Sequence, residues 1–123
     1  MAKKILFVED EEALQRTLGD LLKSEGYEVV SAMDGETGLQ MSKTEKPDLI
    51  LLDLILPKLH GFDVLRKIKD DEATKDIPLI VLTNLEGMGD VEKALELGAT
   101  TYLVKANYSL DEVLEKVRKA LGQ

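Results

Sequence analysis

Hydrophobic residues of this chain fall into short continuous runs that are separated by longer amphipathic stretches. Three of these runs are purely apolar: Ile5–Val8, Leu49–Leu52 and Leu79–Leu82. Continuous runs of this length are typical of strands that are covered on both faces, as in parallel sheets. Two stretches of mixed polarity, Tyr27–Ala32 and Thr100–Lys105, predict strands at the edges of the same sheet.

The segments between these strands repeat their apolar positions at helical spacing. Three helical faces are formed by Leu14, Leu18, Leu21 and Leu22, by Val64, Leu65 and Ile68, and by Val91, Ala94 and Leu95. A helix with a weaker pattern is predicted over Gly35–Thr44. The final helix has the clearest beginning, because Ser109 and Glu112 have the spacing of a capping box.

Strict alternation of five strands with five helices predicts an α/β fold, a single doubly wound (βα)5 open parallel sheet between two helix layers. The second and fifth strands have the composition of edges, and the first, third and fourth that of central strands. The strand order 2-1-3-4-5 satisfies this assignment with right-handed crossovers. Ligands of such sheets bind at the carboxyl ends of the strands, here between the first and third strands.

Composition narrows the possible class of protein. A length of 123 residues suits one domain, taken as residues 1–123. The net charge of −8 argues against binding to the nucleic acid backbone, and the absence of cysteine excludes disulfides and thiolate metal sites. No apolar run has the length of a signal peptide or a membrane span, so a cytoplasmic protein is expected.

Charged and polar residues follow the predicted strands and should meet at one edge of the sheet. They are Glu9 and Asp10 after the first strand, Asp53 after the third, Thr83 after the fourth and Lys105 after the fifth. Three carboxylates repel one another in a partly desolvated pocket, and a hard cation such as Mg²⁺ relieves the repulsion. A cation, an ammonium and a hydroxyl around one carboxylate are suited to binding a phosphoryl group on it.

The segments ILFVEDE, DLILLDLILPKLHGF, LIVLT and GATTYLVK resemble the receiver domain of two-component response regulators, the family of the chemotaxis regulator. The resemblance extends over essentially the whole chain and implies a stand-alone receiver with a flavodoxin-like fold. It implies that Asp53 accepts a phosphoryl group and that Thr83 and Lys105 bind the phosphoryl oxygens. The magnesium ligands that it implies are Glu9, Asp10, Asp53 and the backbone carbonyl of Ile55.

The same resemblance implies an output and a set of partners. Thr83 would move toward the phosphoryl oxygens and Tyr102 would turn into the vacated space, changing the surface of the fourth helix, fifth strand and fifth helix. The partners would be a sensor histidine kinase or a phosphotransfer protein and a downstream target protein, with the chain a monomer or a phosphorylation-dependent dimer. The domain would not be an enzyme, since it would catalyse only its own phosphorylation and dephosphorylation.

Two departures from the family pattern carry predictions. Ala106 follows Lys105 where the family usually has proline after a cis bond, and we expect a cis bond here too, because Lys105 must reach the phosphoryl site. The access of water to the phosphoryl group is flanked by Ile55, Asn84 and Leu85. Ile55 and Leu85 are aliphatic and cannot orient a water molecule, so a long-lived phosphorylated state is expected.

Two other functions fit parts of the same pattern. The chain could be a receiver-like interaction module that works without phosphorylation. It could also be a phosphohydrolase with an aspartyl-phosphate intermediate, but such haloacid-dehalogenase-like enzymes have an acid two residues after the nucleophile. Ile55 stands at that position, which disfavours the enzyme. His60, the only histidine, is interpreted as an exposed loop residue without a metal or phosphohistidine role.

Overall fold

Five parallel strands form one sheet in a computed structural model that describes residues 2–123. The order is β2-β1-β3-β4-β5, which confirms the predicted topology. The strands are β1 (Lys4–Val8), β2 (Glu28–Ala32), β3 (Leu49–Leu52), β4 (Leu79–Thr83) and β5 (Thr101–Val104). Both faces of β3 and β4 are fully covered, whereas β2 and β5 are only partly covered, and this difference explains why the central strands are continuously apolar and the edge strands mixed.

Helices connect the strands and cover both faces of the sheet. They are α1 (Glu12–Ser24), α2 (Gly35–Thr44), α3 (Gly61–Asp70), α4 (Met88–Glu96) and α5 (Leu110–Ala120), with a short 3₁₀ helix at Lys105–Asn107. Helices α1 and α5 lie on one face, and α2, α3 and α4 on the other. The predicted capping box is confirmed at the start of α5. The Ser109 hydroxyl accepts from the Glu112 N–H at 3.2 Å, and the Glu112 carboxylate accepts from the Ser109 N–H at 2.9 Å.

Alternate residues of the central strands feed two hydrophobic cores. Leu6, Val8 and Leu52 point into the core beneath α2, α3 and α4, and Ile5, Phe7 and Leu51 into the core beneath α1 and α5. Between residues 2 and 123, no helix combines the length and the apolar character needed to cross a membrane. The two cores leave the carboxyl ends of β1, β3 and β4 side by side at one edge of the sheet.

Candidate functional site

Three carboxylates meet at this edge. Ligand atoms of Glu9, Asp10 and Asp53 lie within 4.8 Å of one another, with Glu9 and Asp53 buried and Asp10 exposed. The sheet places them there, since the Glu9 N–H donates to the Ala32 carbonyl at 2.9 Å and the Asp53 N–H to the Val8 carbonyl at 3.0 Å. Sequence position at the strand ends was therefore sufficient to predict which acids converge.

Lys105 supplies the positive charge of the site. Its ammonium lies 2.6 Å from Glu9 Oε1 and donates a hydrogen bond to Asp53 Oδ2 at 3.0 Å. Burial opposes the charge on Lys105, but attraction to the two nearby carboxylates outweighs it and raises the pKa of the ammonium above its ordinary value. A single cation is thus shared between the two buried acids of the cluster.

Glu9 is the least compensated group of the cluster. Its Oε2 accepts from the Glu11 N–H at 3.0 Å, whereas Oε1 has the Lys105 ammonium close by but no well-directed hydrogen bond from residues 2–123. Burial raises the pKa of Glu9 to about 7, in spite of these two neighbours. A buried carboxylate oxygen that lacks a directed donor, beside two further acids, fits a site for a hard divalent cation.

Asp53 is held in its apolar surroundings from two sides. Oδ1 accepts from the Ile55 N–H at 3.1 Å and Oδ2 from Lys105, and the residue is only 4% exposed. A buried carboxylate requires such partners because its desolvation is otherwise costly. The Ile55 side chain itself is 50% exposed beside the site.

Thr83 and Tyr102 both contact the backbone of Leu85, in the loop between β4 and α4. The buried Thr83 hydroxyl accepts a long hydrogen bond of 3.4 Å from the Leu85 N–H, and the Tyr102 hydroxyl donates to the Leu85 carbonyl at 2.7 Å. Desolvation raises the pKa of Tyr102 to about 12, so its hydroxyl stays protonated even in moderately alkaline solution. Asn84, beside them, is exposed.

The expectation of a cis bond between Lys105 and Ala106 is wrong. Residues 2–123 contain no cis peptide bond, and Lys105 nevertheless reaches Asp53. The chain turns through the 3₁₀ helix at Lys105–Asn107, which delivers the ammonium without the ~2.5–4 kcal/mol that a non-proline cis bond costs.

Two side-chain contacts with the backbone were not predicted from the sequence. His60 is exposed, as expected, but it also caps α3, because its Nδ1 accepts from the Phe62 N–H at 3.2 Å. Gln15 lies on α1 with its side-chain amide beside three backbone carbonyls. Gln15 stands between Leu14 and Leu18 on the face of α1 that packs toward the sheet, and a polar residue on such a face is the feature from which this contact could have been predicted.

Comparison with known proteins identifies the family. The model of the response regulator receiver domain matches residues 5–118. The chain belongs to this family. As a receiver domain it is the phosphorylatable module of two-component signal transduction, and the convergence of acids, lysine and threonine at one sheet edge fits that role.

Relatives of the receiver occur both alone and within longer proteins. The chain is 46% identical over 114 residues to the response regulator PleD of Caulobacter vibrioides, covering 93% of this chain and 24% of PleD. It is 34% identical over 122 residues to the polar-differentiation response regulator DivK of Brucella ovis, covering 99% of this chain and 98% of DivK. The chain thus spans about a quarter of PleD and nearly the whole of DivK.

Solved structures of receiver domains have the same fold. A CheY-like receiver domain protein from Methanospirillum hungatei superposes with a TM-score of 0.92 at 29% identity, covering 99% of this chain and 95% of that one. The receiver domain of the sensor histidine kinase PA1611 from Pseudomonas aeruginosa has a TM-score of 0.89 at 31% identity, with both chains fully covered. That structure is described as having a magnesium ion coordinated in the active site cleft.

Proposed function

We propose that this receiver accepts a phosphoryl group on the side chain of Asp53. The observation that carries the proposal is the buried Asp53 carboxylate, which lies 3.0 Å from the Lys105 ammonium and within 4.8 Å of two further acids. A carboxylate oxygen attacks phosphorus, the bond from phosphorus to the donor nitrogen breaks, and the electron pair remains on the donor imidazole. The donor would be a phosphohistidine of a sensor kinase or a phosphotransfer protein.

Magnesium is proposed as the resident cation of the site. Glu9, Asp10, Asp53 and the backbone carbonyl of Ile55 would hold it, and the magnesium described for the PA1611 receiver supports this assignment. When bound, the ion supplies positive charge that offsets the repulsion between the carboxylates and an incoming phosphoryl group.

Lys105 and Thr83 would bind the phosphoryl oxygens. In the unphosphorylated domain the Lys105 ammonium is already paired with Asp53, so oxygens attached to that side chain would need only a small movement to replace the carboxylate. The hydrogen bond of 3.4 Å that the Thr83 hydroxyl accepts is long and weak, so the hydroxyl could readily donate to a charged phosphoryl oxygen instead.

The output would pass through Leu85. A Thr83 side chain drawn toward the phosphoryl group would release the Leu85 N–H, and the loop could then shift together with Tyr102, whose hydroxyl is bonded to the Leu85 carbonyl. This would bias an equilibrium between two arrangements of the surface formed by α4, β5 and α5. On adding beryllium fluoride with Mg²⁺, amide shifts should cluster in residues 85–97 and 100–108. Shifts confined to the surroundings of Asp53 would contradict this output.

The decisive experiment is phosphorylation with acetyl phosphate, followed by intact-mass measurement. Wild-type protein should gain one phosphoryl group with Mg²⁺ present and none after chelation. Asp53→Ala should gain none, while Asp20→Ala, which removes an exposed acid of α1, should behave like wild type. Equal labelling of the wild type and Asp53→Ala would overturn the assignment.

The alternative of an interaction module that works without phosphorylation makes the opposite prediction, namely no Mg²⁺-dependent response to acetyl phosphate or beryllium fluoride.

We also propose that the domain catalyses only its own phosphoryl transfer and hydrolysis. A downstream protein would recognise the changed surface, with the receiver as a monomer or as a dimer that forms on phosphorylation.

A further inference from the structure

The side-chain amide of Gln15 connects the ends of two strands beside the acidic cluster. Its Nε2 lies 3.0 Å from the carbonyl oxygens of both Phe7 and Glu9 and 3.2 Å from that of Ala32. Gln15 is in the first turn of α1, and helical side chains tilt toward the helix N-terminus, which brings the amide back over the end of β1. The contact therefore joins α1, β1 and β2 at the point where the sheet ends.

We propose that Gln15 is a positioning residue for the magnesium and phosphoryl site, an inference that rests on the function proposed above. The backbone of Glu9 is fixed on both sides, because its N–H donates to the Ala32 carbonyl and its own carbonyl accepts from Gln15. Asp10 follows directly in the chain. Gln15 thus sets where both acids of the pair stand relative to Asp53 without touching any carboxylate.

The chemistry of the Gln15 side chain argues that it does more than fill space. Its Oε1 is buried and accepts no hydrogen bond from residues 2–123. An unsatisfied buried acceptor is unfavourable, so an apolar side chain of the same length would suit a purely space-filling role better. The contacts that Gln15 makes here are those of its amide as a donor. The amide has two N–H groups, and three backbone carbonyls share them.

Fixing this backbone matters because the chain must hold like charges together. Glu9, Asp10 and Asp53 repel one another before a cation binds, and a strand end that can relax would separate them. Groups that orient metal ligands from outside typically change metal affinity by about 10–100-fold when they are lost. Gln15 acts on the backbone of the ligands and not on their side chains, so we expect its loss to weaken Mg²⁺ binding by about tenfold, the lower end of this range.

The test is a Mg²⁺ titration by isothermal calorimetry on the full chain, comparing Gln15→Met with wild type. Gln15→Met keeps the length of the side chain but has no N–H donor, and it should raise the Mg²⁺ dissociation constant about tenfold. Gln40→Met makes the same chemical change on the exposed face of α2, and Val117→Ala weakens the core beneath α1 and α5 without removing a polar group. Both controls should keep the wild-type dissociation constant.

A second measurement needs no magnesium. Hydrogen exchange of the Glu11 amide, which donates to Glu9 Oε2, should be faster in Gln15→Met than in either control variant. Gln15→Ala, which makes smaller demands on packing, should show the same two changes. An unchanged dissociation constant and unchanged Glu11 exchange in both Gln15 variants would overturn the role of Gln15 alone. A wild-type protein that binds no Mg²⁺ would overturn the proposed function, and this inference with it.

Discussion

Gly61 allows α3 to begin directly against the backbone of Asp53, the proposed phosphoryl acceptor, and of Leu54. A Cβ atom added at Gly61 would lie 2.2 Å from the Cα of Leu54 and 2.7 Å from the carbonyl oxygen of Asp53. The Gly61 N–H also donates to the Leu54 carbonyl at 3.0 Å. Both obstacles are backbone atoms, so Gly61→Ala cannot be accommodated by rotation of a side chain, and the segment after Asp53 must move.

The magnitude follows from this geometry. Overpacking of a well-packed interior typically costs about 1–3 kcal/mol, and a backbone obstacle places Gly61→Ala near 3 kcal/mol. With a urea dependence of about 2 kcal/mol per molar, the unfolding midpoint should fall by about 1.5 M. Because Asp53 and Ile55 belong to the displaced segment, phosphorylation by acetyl phosphate should slow by at least about tenfold, since small misplacements of reacting groups are costly.

Gly19→Ala is the matched control. An added Cβ at Gly19 has no atom within 4 Å apart from its own helix and chain neighbours, and Gly19 lies inside α1. Alanine should therefore stabilise the protein by roughly 0.5–1 kcal/mol through helix propensity and leave phosphorylation unchanged. Urea unfolding followed by circular dichroism compares the two variants. A Gly61→Ala midpoint at or above that of wild type would refute the argument from backbone contact.

Two further predictions concern the lifetime of the phosphoryl group and the start of α2. Ile55 and Leu85 cannot orient an attacking water molecule. The double variant Ile55→Asn with Leu85→Glu should therefore lose its phosphoryl group about tenfold faster than wild type, which corresponds to a barrier lower by ~1.4 kcal/mol. Unchanged or slower decay would show that another feature sets the lifetime. Asp34 caps α2 by accepting from the Thr37 N–H at 2.8 Å, and this hydrogen bond lowers the pKa of Asp34. Asp34→Ala should therefore cost about 1 kcal/mol in urea unfolding at neutral pH. A lowered pKa stabilises the fold only while Asp34 is ionised. The difference in unfolding free energy between Asp34→Ala and wild type should therefore shrink as the pH falls below 3.8, the ordinary pKa of an aspartate, toward the lowered pKa of Asp34. A difference that stays constant over this range would contradict the role of the ionised cap.

The sequence by itself determined the layers of the fold and which acids converge at the edge of the sheet. Burial on both faces requires continuous apolar runs, so β3 was predicted with the bounds that the structure has, and β1 and β4 within one residue. The mixed polarity of β2 and β5 indicated that these strands lie at the edges, and the order 2-1-3-4-5 satisfies that placement with right-handed crossovers. In a parallel sheet the carboxyl ends of all strands lie on one side, so knowing the strands was enough to bring Glu9, Asp10 and Asp53 together.

Only the tertiary structure decided the contacts that depend on backbone atoms and on distances through space. The trans bond after Lys105, the sharing of its ammonium between Glu9 and Asp53, and the carbonyls around Gln15 are of this kind. The close approach of Gly61 to the Asp53 carbonyl is another. A backbone carbonyl is the same group in every residue, so its partners leave no pattern in the sequence, and they are set only when distant segments pack together.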